Sequence, residues 1–107
     1  MEKSELIGYR ALAREVCQLR ICLGVAGECS ELQVLYTEKL NRRNAQLLAI
    51  ERAIDTLADP GARLILRHRY IDGLGWNRIC AAMATLGYSE RSVYRLHGEA
   101  LLKLKEV

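Results

Sequence analysis

Apolar side chains recur every three or four positions along almost the whole chain, and no strand-length run alternates apolar with polar. That period belongs to helices with one buried stripe, so the expected fold class is all-α. A first helix is predicted over residues 4–22, with Ser4 as a possible cap and Leu6, Tyr9, Leu12, Val16, Leu19 and Leu23 at helical spacing. Gly24 and Gly27 interrupt the pattern, and Ser30 followed by Gln33 fits a capping box that restarts it. A second helix is expected over 31–57, where Tyr36, Leu40, Leu47, Ile50, Ile54 and Leu57 form a heptad-like series with Arg43 in one apolar slot. Such a seam wants a partner. Two partners fit equally: the first helix folded back as a hairpin, or a second chain in a homodimer through residues 31–57.

The second half is punctuated more sharply. Asp59 can cap a helix and Pro60 suits its first position, where a missing amide costs nothing. A third helix should run from Pro60 to Ile71 or Asp72 and stop at Gly73, with Leu64, Ile65, Tyr70 and Ile71 inward and Arg63, Arg67, His68 and Arg69 largely outward. A fourth is expected from Trp76 to Ala84 or Leu86, burying Trp76, Ile79, Cys80 and Met83. Trp76 reads as a core anchor, its N–H satisfied nearby. Gly87 is placed for a left-handed turn and Ser89 for a cap. The fifth helix, from Glu90 to about Leu104, has its apolar stripe at Val93, Leu96, Ala100, Leu101 and Leu104. The expected organisation is a helical extension over 1–57 and a second unit over 58–107.

The totals refine this picture. A chain of 107 residues, half of them hydrophobic and one of them proline, fits one small ordered domain or a domain with an extension. With no Phe and one Trp the core must be aliphatic. No run of about 18 apolar residues and no charged-then-apolar leader is present, so a cytoplasmic protein that avoids membranes is the default expectation. The net charge of +3 lies wholly in residues 58–107, which hold eight Lys and Arg against five Asp and Glu, while residues 1–57 balance at eight each. A phosphate-facing surface has that sign. Cys17, Cys22, Cys29 and Cys80 form no Cys-x-x-Cys pair and lie far from His68 and His97. No metal or cofactor is therefore expected, and the thiols read as small buried hydrophobes. His97 reads as a packing or surface residue rather than a catalyst. Paired carboxylates, a nucleophile–base set and a phosphate-cradling glycine loop are all missing, so an enzyme is the weakest reading.

Outside the apolar stripe of the fifth helix fall Arg91, Ser92, Tyr94, Arg95 and Glu99. A short helix anchored on one side and cationic near its N-terminus suits the major groove of double-stranded DNA. Two helices joined by a short glycine turn and preceded by a supporting helix make a helix-turn-helix unit. Arg63, Arg67, Arg69 and Arg78 either add a second phosphate patch or pair with Asp55, Asp59 and Asp72.

The segment Arg67-His68-Arg69-Tyr70-Ile71-Asp72-Gly73-Leu74-Gly75-Trp76-Asn77-Arg78-Ile79 resembles region four of sigma factors. The run from Gly87 to Leu101, with its aromatic-Arg-Leu-His-Gly-x-Ala-Leu core, is similar to small phage and prophage regulators of that type, such as the ArpU- and RinA-like late regulators. The similarity covers about residues 52–104. It implies a sigma-region-four-like helix-turn-helix domain acting in transcription regulation, with Ser89, Glu90, Arg91, Ser92, Tyr94, Arg95 and Arg78 on the DNA-binding surface and RNA polymerase as a further partner. Arg91 and Arg95 would reach guanine edges or phosphates, Ser92 and Tyr94 phosphates or thymine, and Glu90 would complement the helix dipole. The chain departs from that pattern at Gly75, where relatives carry a Ser or Thr cap, and in a stretch from Trp76 to Gly87 about three residues longer. Two other readings compete: a helical interaction protein that binds polymerase or another partner without DNA, and a DNA-packaging protein like a phage terminase small subunit.

Overall fold

A computed structural model describes residues 1–106. Six α-helices account for most of them, and no strand occurs among the described residues: α1 (Lys3–Ile7), α2 (Tyr9–Ala26), α3 (Ser30–Asp55), α4 (Pro60–Leu66), α5 (Trp76–Ala84) and α6 (Glu90–Lys105). The particle is elongated, 55 × 28 × 18 Å.

The predicted first helix is two helices. Gly8 ends α1 and precedes α2, while Leu6 and Tyr9 on either side of it are both buried. The start lies at Lys3 after Glu2, so Ser4 is inside the helix and does not cap it. At the other end α2 runs through Gly24 to Ala26, and the reversal comes at Gly27, whose positive φ of 59° a side chain would resist. The restart also differs in detail. Cys29 occupies the cap position, Ser30 is already helical, and the Gln33 side-chain amide donates back to the Gly27 carbonyl.

Of the two partners open to the α3 seam, the intramolecular one is present. The α2 and α3 helices pack along one another as an antiparallel hairpin, pinned partway down by Arg43 Nε donating to Glu15 Oε1 at 3.0 Å. Arg43 thus fills an apolar slot of the seam because its guanidinium finds a carboxylate there. Farther down, Ile50, Ile54 and Leu57 are buried in the main core and Leu47 packs against it.

That core joins the two halves of the sequence. Leu6 and Tyr9 at the N-terminus, Ile50, Ala53 and Ile54 of α3, and Leu57 just beyond it meet Ala62, Leu66, Tyr70, Ala100 and Leu104. A second cluster, Ile65, Ile79, Met83, Val93 and Leu96, lies between α4, α5 and α6. The long α6 bridges both clusters with one stripe. Leu66, fully buried, is a core residue the sequence pattern did not single out, whereas Leu64 is only partly buried.

The punctuation of the second half is realised closely. Asp59 Oδ1 accepts from the amides of Gly61 and Ala62, a cap that stabilises by about 1 kcal/mol. Beyond Leu66 the helix widens into a π-helical turn over Arg67–Ile71, with Asp72 N donating to Arg67 O at 2.9 Å, before Gly73 turns left-handed at φ 72°.

Candidate nucleic-acid interface

The turn between α5 and α6 is built from backbone bonds that need a glycine. Tyr88 N donates to Met83 O and Gly87 N to Ala84 O, a Schellman closure around Gly87 at φ 91°. Tyr88 then packs its ring directly on the buried Gly61 of α4, where a Cβ would lie only 2.6 Å from the phenol oxygen. This contact fixes where α6 begins. Ser89 caps α6 by accepting from Ser92 N at 3.1 Å, and the two hydroxyls bond at 2.9 Å.

Once Val93, Leu96, Ala100 and Leu104 are buried, α6 has little freedom to roll. The other predicted contact residues then emerge on or beside its outer face. Glu90 and Arg91 are exposed in the first turn, and Arg91 forms no ion pair or hydrogen bond. Ser92 is partly buried and held by Ser89. Arg95 is exposed but not free: its Nη1 lies 3.2 Å from Glu99 Oε1, one turn on. Tyr94, 44% exposed, leans on Trp76 of α5 with ring centroids 5.1 Å apart. Arg78, also on α5, is exposed without an ion pair.

Behind this face lies an aromatic cluster that sequence spacing did not bring together. Trp76 is partly buried rather than a sealed core anchor, and it is the hub. Arg69 lies over its ring at 4.8 Å, His97 meets it in a T-shaped contact with ring centroids 4.7 Å apart, and Tyr94 rests on it. His97 Nε2 and the Tyr70 hydroxyl are hydrogen-bonded at 2.7 Å, their rings stacked at 5.8 Å. Burial pushes the His97 pKa below its ordinary value, and the cations Lys3 and Arg69 push it the same way; burial also raises that of Tyr70. His97 is therefore neutral near pH 7. The π-turn places adjacent residues in this cluster: Arg69 reaches Trp76 while Tyr70 reaches His97.

The four arginines of α4, the π-turn and α5 follow neither expected alternative as a group. Arg63 donates to the carbonyls of Leu57 and Ala58 at 2.5 and 3.2 Å, closing the end of α3. Arg67 lies 3.7 Å from Glu51, and Arg69 also donates to Leu74 O. Asp72 is taken by His68 at 3.0 Å. Only Arg78 remains available beside α6.

Cys17 and Cys29 are exposed, so the expectation of four buried thiols fails for them; Cys22 and Cys80 are partly buried. Among the described residues no three His, Cys, Asp or Glu side chains are grouped to hold a metal, and no helix is long and apolar enough to cross a membrane. No protein family, curated protein or solved structure matches the chain.

Proposed function

We propose that the chain is a sequence-specific DNA-binding transcription regulator of the phage or prophage type, and not an enzyme. In this reading α5, the turn at 85–89 and α6 are a helix-turn-helix, with α6 lying in the major groove. The observation that carries it is the contrast between the two sides of α6. One side is buried over about three turns, from Val93 to Leu104, and the other offers an unpaired Arg91, a second arginine held only by a surface contact, a hydroxyl pair and a tyrosine. Arg91 reads a guanine edge, for which an extended bidentate donor is the commonest fit. Arg78 on the neighbouring helix takes a phosphate. The Ser89–Ser92 pair sits at the free amides of the helix start, where a phosphate oxygen is favoured by the dipole.

Repeated selection from a pool of random duplexes tests this directly. A regulator enriches one sequence that Arg91→Ala no longer enriches. A pool that stays random over all rounds overturns sequence-specific reading.

A further inference from the structure

The first half of the chain carries no net charge, yet folding does not spread that balance evenly. α2 holds Arg10, Arg14 and Arg20 against a single carboxylate, Glu15. Arg10 and Arg14 are one turn apart and share a side of the helix. Glu15 lies about 100–140° round the helix from them and is bonded to Arg43 of α3. Both arginines are exposed, and neither forms an ion pair or hydrogen bond among the described residues.

Their side of α2 adjoins the second half of the chain. Arg10 and Arg14 line a cleft of about 220 Å³ that Ile71 of the π-turn closes opposite them. From there Arg10 extends over Gly73, its guanidinium occupying the space a side chain at that position would need. Gly73 begins an open depression of about 490 Å³ that runs to Arg78. Trp76 sits within it, with Arg69 over its ring and Tyr94 of α6 against it. No carboxylate is among the described residues lining either hollow. Asp72, next to Gly73 in the chain, is held by His68 at 3.0 Å. A cationic strip therefore runs from Arg14 over Arg10 and Gly73 to Arg78, contiguous with the outer face of α6.

We infer that Arg10 and Arg14 bind backbone phosphates of the duplex whose groove α6 enters, an inference that rests on the DNA-binding reading above. A row of unpaired guanidiniums fits a polyanion. The two side chains start about 6 Å apart along α2, and successive phosphates of one strand rise by about 3.4 Å, so the pair can meet two phosphates of one strand. Such contacts fix position on the duplex and carry no sequence information. The helical extension is then part of the DNA-binding surface, joined to the helix-turn-helix at Gly73.

Fluorescence anisotropy of the full chain on the selected and a scrambled duplex, over a series of salt concentrations, tests this. Arg10→Ala with Arg14→Ala should weaken both duplexes alike, about tenfold or more at about 0.1 M salt. The logarithmic salt slope should become shallower by about 1 to 2, since each phosphate contributes about 0.9. Arg10→Lys with Arg14→Lys should keep the slope, because both charges remain. Arg10→Gln with Arg14→Gln gives the same reading as the alanine pair if that pair disturbs the helical spectrum. A wild-type chain that binds while the uncharged pair matches it in affinity and slope overturns this inference and leaves the reading of α6 standing. A loss confined to the selected duplex also overturns it, because phosphate contacts do not discriminate between sequences. A wild-type chain that binds neither duplex overturns both.

Discussion

Arg91 and Arg95 sit one turn apart on α6, yet their surroundings predict different consequences of removal. Arg91 has no partner in the folded chain, so Arg91→Ala should change stability by no more than about 0.5 kcal/mol. Arg95 is bonded to Glu99 at 3.2 Å with side chains 59% and 49% exposed; solvent screening holds such a pair to about 0.3–0.5 kcal/mol, which Arg95→Ala forfeits. On DNA the order reverses in size. A bidentate arginine–guanine contact is worth about 1–3 kcal/mol, so Arg91→Ala should weaken the selected duplex about 5- to 150-fold and relax preference at one base pair. Arg95 must first leave Glu99, which offsets part of its gain. Arg95→Ala should therefore cost less affinity than Arg91→Ala, and Glu99→Gln should tighten binding by releasing the guanidinium and removing an anion from the face. Fluorescence anisotropy on the selected and a scrambled duplex, beside thermal unfolding, measures all three. A loss of stability above about 2 kcal/mol in Arg91→Ala, or an unchanged preference between duplexes, would refute the reasoning.

Further outcomes follow from the packing. Met83, fully buried in the second cluster, should cost about 2–5 kcal/mol as Met83→Ala, and DNA binding should fall with the folded fraction seen by circular dichroism. Gly87→Ala meets no atom within 4 Å but keeps φ at 91°, so about 1–2 kcal/mol of backbone strain should appear in denaturant unfolding without any change in packing. Gly61→Ala is the converse: its backbone is ordinary but its new methyl drives into Tyr88, so Tyr88→Ala should rescue part of its loss, whereas it should not rescue Gly87→Ala. His97 has a folded pKa below its unfolded value of about 6.5, so its contribution is fully present above that value and is lost as pH falls through the folded value. The thermal midpoint should consequently drop more steeply in the wild type than in His97→Gln as pH falls below about 6.5. Equal slopes would remove His97 as the cause.

The helix boundaries of the second half were legible because each is marked by a residue with a local physical reason. Asp59-Pro60 opens α4, Gly73 ends the π-turn, and Gly87 with Ser89 separates α5 from α6. The first half was less so. Leu6, Tyr9, Val16 and Leu19 keep one apolar register across Gly8, so the pattern carries no sign that the helix breaks there. The widened turn at Arg67–Ile71 likewise leaves no mark, since a five-residue repeat of one turn is too short to alter periodicity. The hairpin of α2 and α3 rests on the reversal at Gly27, a tertiary event that heptad spacing on α3 cannot encode.

The exposed face of α6 was readable in advance because it is the complement of a buried stripe. What holds its residues was not. Glu99 follows Arg95 by one turn, a spacing that signals the pair, but the meeting of Arg69, Tyr70, Trp76, Tyr94 and His97 depends on how three elements cross. Charges behaved similarly. In sequence Arg63 and Arg67 stand between a phosphate patch and pairing with Asp55, Asp59 or Asp72, whereas in the fold they meet carbonyls at the end of α3 and Glu51 instead.

The most direct test of the central claim is binding of the intact chain to a mixed-sequence duplex, followed by anisotropy across a series of salt concentrations. Contacts from Arg91, Arg95 and Arg78 predict affinity that falls with salt at a logarithmic slope of about −2 to −3, each neutralised phosphate contributing about −0.9 and any arginine on a base edge less. Absence of binding at the lowest salt, with the helical spectrum intact, would contradict the DNA-binding account.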